Sequence, residues 1–296
     1  MDVLNFISWI KNGQQVTTVD PTQTLLPLGL KDPRRDDGYR SGTITAQDFI
    51  NSVAPPAIVA VGQGPDSTVR TGLNNWAPGQ ESVVFGSYNC ALVPWSTVSG
   101  GLCNLAIGGI GTIAGGQCNV LTGFGGFIGA GCLNTVLGEY SSTTGGTSNV
   151  ISGGWSSISG GFNNCVSGIS STILGGGSNT ITSDYSLVAG GRFNINSGFS
   201  SNISSGCCNI NAACTSFIGS GFCNTVCNTA TRTGILGGQC NLATCNDTFV
   251  MGSCITTNRV CTAFVNNLSI MDIPTSSAGL PSKAVWSNAG VLTIVP

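Results

Sequence analysis

There is no histidine among the 296 residues, and that one absence removes several chemistries. Ser-His-Asp and Cys-His nucleophile schemes and imidazole-ligated metal centres all need a ring that titrates near neutrality or binds metal. Charge is nearly as scarce. Lys and Arg number 10 and Asp and Glu 12, 7% of the chain, against about a quarter in an ordinary soluble protein. A formal net charge of −2 and a pI near 4.8 give no electrostatic footprint for nucleic acid or an anionic membrane. No run reaches the ~18 apolar residues of a membrane-spanning helix. Residues Met1 to Lys11 lack a basic segment, a continuous apolar stretch and a small-residue cleavage site. The expectation is a chain made in the cytosol without standard export, with no nucleic-acid, membrane, cofactor or metal partner.

Glycine, by contrast, is abundant at 44 residues, about twice its usual share of roughly 7%, and asparagine keeps time. Asn89, Asn104, Asn119, Asn134, Asn149, Asn164, Asn179, Asn194, Asn209 and Asn224 are fifteen residues apart. Asn241 follows after seventeen, which places a two-residue insertion near Thr231, Arg232 and Thr233. Three residues before each stands a glycine, from Gly86 to Gly238. Two after comes an apolar column (Ala91, Leu121, Ile151) that turns polar at Asn196 and Asn211. Seven after comes a small column (Ser96, Gly111, Gly126, Ser141 and on to Thr231), and nine after a β-branched one (Val98, Ile113, Ile158). The unit reads Asn-x-apolar-x-Gly-x-x-Ser-x-apolar-x-Gly-Gly-x-x.

A helix of this length would need apolar residues three and four apart and few glycines. Short β-branched segments between glycine corners fit strands joined by tight turns, and fixed-period self-similarity marks a solenoid. The fold class expected is all-β: a parallel β-roll or solenoid of about eleven 15-residue coils over residues 82–262. Glycine and asparagine are expected at corners of positive φ, with the asparagine side chains hydrogen-bonded up and down their column.

Of the 14 cysteines, Cys103, Cys118, Cys208, Cys223 and Cys240 each precede a column asparagine and share one column. Adjacent coils bring such positions within disulfide range, and Cys223/Cys227 or Cys240/Cys245 raise metal as an alternative. No C-x₂-C pair of the zinc type occurs, and free cysteine suits an internal column as a small hydrophobe, so buried thiols are the expectation. The acids of 82–262, Glu139, Asp184 and Asp247, stand three or more coils apart and make no glycosidase-type pair within a chain. The expectation is therefore no enzyme.

Segments such as Ile151–Asn164 and Ser171–Thr182 resemble the head repeats of YadA-like trimeric adhesins and of many phage tail fibres. That resemblance implies a left-handed parallel β-roll, three chains packed side by side as a homotrimer, and residence in the virion. The C-terminal run from Leu268 to Val295 is similar to the ending of many tailed-phage structural proteins, a short terminal β-hairpin. Residues 263–296 are accordingly read as a β cap, and 1–81 as a non-repetitive attachment region. That region holds 14 of the 22 charged residues and offers aromatic and cationic docking candidates: Trp9, Trp76, Arg34 and Arg35. The function expected is a structural fibre or spike bound to another virion protein through its N-terminal region. The alternative is a receptor-binding adhesin for a host glycan or protein.

Overall fold

The computed structural model describes residues 24–31, 39–45, 59–70, 74–266, 273–288 and 291–295. It divides into two units. In the first (Met1–Val61 with Arg70–Gly72) the strands Thr24–Lys31 and Tyr39–Thr45 pair antiparallel, with Leu30 opposite Arg40.

The second unit is a parallel β-solenoid of about 13 turns, and no helix occurs among the described residues. Its coil follows from the repeat. After Asn149 come the strand Val150–Ile151, a turn over Ser152–Trp155, the strand Ser157–Ile158, and a Gly160–Gly161 turn that returns the chain to Asn164. Successive coils pair in register fifteen residues apart, Ile151 beside Val166 and Ile158 beside Ile173. One strand of each coil joins an eleven-stranded sheet from Cys90–Ala91 to Leu242–Ala243; the other joins a second sheet that ends at Ala263–Val265. The second residue of each strand points inward. Ile151, Ile158, Val166 and Ile173 are fully buried between the sheets, each worth about 1.5–3 kcal/mol of apolar burial. A coil buries two such side chains, so the core is one residue deep from each sheet and only stacking completes it.

Four details differ from the sequence reading. The coil geometry begins at Gly62 and not at residue 82: Ser67, Val69 and Ala77 already occupy the buried columns. Those coils escape the fifteen-residue count because Asn75, whose Oδ1 accepts from the Asn89 amide at 3.0 Å, is fourteen residues upstream. The insertion lies before residue 231, in the turn where the Ala230 amide donates to the Cys227 carbonyl at 2.8 Å. Thr233, buried to 2%, therefore fills the small column in place of Thr231. Finally, the column asparagines are not at positive φ. The residues just before them are, together with the column glycines and those before the serine column: Trp155 at 52°, Gly161 at 86° and Asn163 at 55° in one coil. At the other end, Val285–Asn288 and Val291–Ile294 form the antiparallel pair expected of a terminal hairpin.

Candidate functional surfaces

The asparagine column is internal. Asn149 is 1% exposed; its amide and its Nδ2 both donate to Asn134 Oδ1 at 3.1 Å, and Nδ2 also reaches the carbonyls of Gly145 and Gly161 at 3.2 and 3.1 Å. Its own Oδ1 accepts from the amide and Nδ2 of Asn164. The same pattern runs from Asn89 to Asn241 and stops at Ile255, whose amide takes the last Oδ1 at 3.0 Å. With both side-chain groups engaged by backbone, this column holds the coils together and presents nothing to solvent.

A second ladder runs through the serines. The Ser156 amide donates to Ser141 Oγ at 3.0 Å, and Ser156 Oγ donates to the Gly168 carbonyl at 2.7 Å. The polar residues in the apolar column are absorbed locally: Asn196 and Asn211 accept from the hydroxyls of Ser201 and Ser216. Among the described residues no buried side-chain polar atom lacks a partner.

The thiols are not internal. All 14 cysteines are free and none is fully buried. Cys103, Cys118, Cys208, Cys223 and Cys240 sit at the positive-φ position before each asparagine, with φ between 53° and 57°, where the chain bends outward. Among the described residues no group of three or more cysteines and acids is placed to hold a metal. Cys90 and Cys165 lie on the outer side of the eleven-stranded sheet, and burial pushes their thiols up from the ordinary range.

The opposite edge, at the serine column, carries exposed aromatics and the acids. Phe124 meets Tyr140 edge-on at 5.7 Å, Tyr140 stacks on Trp155 at 5.9 Å, and Tyr185 meets Phe199 at 5.5 Å. Trp155 is 61% exposed. Glu139 and Asp184 stand at this edge three coils apart, roughly 14 Å by the strand spacing. Asp247 is held by Arg232 in a two-pronged pair, Nε to Oδ1 at 2.6 Å and Nη2 to Oδ2 at 2.8 Å, which keeps its carboxyl below the usual range.

The outward column of the eleven-stranded sheet runs Cys90, Leu105, Val120, Thr135, Val150, Cys165, Thr180, Ile195, Ile210, Thr225 and Leu242, without a charge. Trp76 bridges to Cys90 in this same column, so it belongs to the solenoid and not to the N-terminal unit to which the sequence reading gave it. Trp9, Arg34 and Arg35 lie outside the described residues. Sequence reasoning missed this face because a two-residue strand shows no alternation long enough to tell its outer residue from turn residues. Neither a known protein family nor a curated protein matches the chain.

Proposed function

We propose that the protein is a structural component of a virus particle: a homotrimeric fibre or spike whose solenoid projects and whose N-terminal unit attaches to another virion protein. The observation that carries this reading is the uncharged outer column of the eleven-stranded sheet. At ~4.8 Å per strand and ~3.3 Å per residue the face is roughly 50 Å long and about 7 Å wide, within the size range of the largest apolar patches on monomers, which are often functional. Coils in one register repeat this face along the length of the solenoid, so parallel copies of the same chain cover it around a cyclic axis. The role is mechanical and not catalytic. The N-terminal region, with most of the charge, has the side-chain variety to specify a distinct partner. An antibody against residues 74–266 should label projections on purified particles, and removing residues 1–61 should abolish incorporation. Recovery of the protein only outside particles would overturn the reading.

The aromatic edge favours a second reading, a receptor-binding adhesin. Exposed rings in series beside Glu139 and Asp184 offer flat apolar platforms with hydrogen-bond acceptors, the combination that holds a sugar ring. Trp155→Ala should then abolish retention on a glycan array while leaving the fold intact.

A further inference from the structure

The thiol positions assign a chemistry that the fibre reading does not need. Six cysteines occupy the positive-φ position before the asparagine column or its continuation: Cys103, Cys118, Cys208, Cys223, Cys240 and Cys254, with φ from 53° to 57°. Cys103 and Cys118 fall on adjacent coils, and Cys208, Cys223, Cys240 and Cys254 fall on four successive ones. The Cys223 amide donates to the Cys207 carbonyl at 3.0 Å, the Cys240 amide to the Phe222 carbonyl at 2.9 Å and the Cys254 amide to the Gln239 carbonyl at 2.8 Å. Each column residue is thus bonded beside its counterpart one coil back. That register sets neighbouring Cα atoms ~4.8 Å apart, inside the ~4.4–6.8 Å span of a disulfide. A shared backbone conformation sends their Cβ atoms to the same side, and a small local shift brings them to the ~3.5–4.5 Å that a disulfide needs. All six are at the surface and free.

Their distribution is uneven. The same position in the middle coils holds Leu133, Ser148, Asn163, Ser178 and Phe193. Thiols return at Cys208, just before the two-residue insertion, and continue to Cys254, beside Ile255, where the asparagine ladder ends. Coils at the ends of a solenoid have one neighbour fewer and open first, and a cross-link between the coils of Cys240 and Cys254 acts at one of those ends.

We propose that these six residues are a redox staple, closing as Cys103–Cys118, Cys208–Cys223 and Cys240–Cys254 when the chain meets an oxidising medium. The oxidant is a small-molecule disulfide. One protein thiolate attacks it, forming a mixed disulfide and releasing one small thiol. The partner cysteine then attacks the mixed disulfide, forming the protein S–S bond and releasing the second small thiol. Each staple transfers two electrons to the oxidant, and the protein loses two hydrogens. Cys207, with its Sγ 3.3 Å from Cys208 Sγ, competes for one of the six and makes the pairing testable.

The full-length protein, purified reduced, is incubated with oxidised glutathione, alkylated and digested without reductant. Fourteen thiols should alkylate before oxidation and six fewer after, with the three named pairs recovered as linked peptides. The apparent Tm should rise, and dithiothreitol should reverse the rise. Cys240→Ser should leave Cys254 alkylatable and the other two links intact. Full alkylation after oxidation, a Cys207–Cys208 link in place of Cys208–Cys223, or links only between chains would overturn the proposal.

Discussion

A Cβ at position 161 would stand 2.1 Å from the Gly176 carbonyl oxygen and 2.8 Å from Asn164 Nδ2, on a backbone at φ +86°. At position 160 nothing lies within 4 Å. Gly161→Ala should therefore cost about 2–4 kcal/mol through strain and overpacking, while Gly160→Ala should be neutral or slightly stabilising; urea unfolding of the two variants decides it. A similar dependence ties Leu121 to the small column. A Cβ at Gly126 would meet Leu121 Cδ1 at 2.6 Å and one at Gly111 would meet Cδ2 at 2.8 Å, so the larger apolar residue sits where both neighbours lack side chains. Gly126→Ser should destabilise by about 1–3 kcal/mol, and adding Leu121→Ala should recover part of that loss in a double-mutant cycle. Both requirements are hidden in the repeat formula, which writes the two glycines of Gly-Gly alike and puts serine where Gly111 and Gly126 stand. The cysteines were misplaced for a related reason. Free cysteine reads as a small hydrophobe suited to an internal column, but these positions are positive-φ corners between two-residue strands, and their side chains are not buried.

At the scale of the coil, the fifteen-residue period was plain from asparagine and glycine alone, because both are fixed by backbone demands that recur every turn. The coils over 62–81 were not, since Asn75 breaks the count by one residue, and the wider turn before Thr231 displaced the small column to Thr233. The period itself is open to test. Deleting residues 135–149 joins Asn134 to Val150, the same neighbour type it has now, and should leave a folded solenoid one turn shorter. Its melting temperature should stay within a few degrees, since stability sums over nearest-neighbour coils. Deleting 135–141 instead feeds Ser142–Thr143 into the asparagine sheet and brings every later asparagine to the serine side, one residue past the serine corner. Calorimetry should then show no cooperative transition. Equal behaviour of the two deletions would mean that the structural period is not fifteen.

For the whole molecule, a thin two-sheet roll with one inward residue per strand leaves its outer columns as the remaining apolar surface. That face was not legible in the sequence, although its consequence, self-association, was expected from the small core of each coil. Light scattering on the full chain at neutral pH tests that consequence most directly. Three copies of the 30.0 kDa chain should be recovered as one species, and charges placed on the outer column as Val150→Lys with Thr180→Lys should dissociate it without loss of β structure. A stable, folded species with the mass of a single chain would contradict the account.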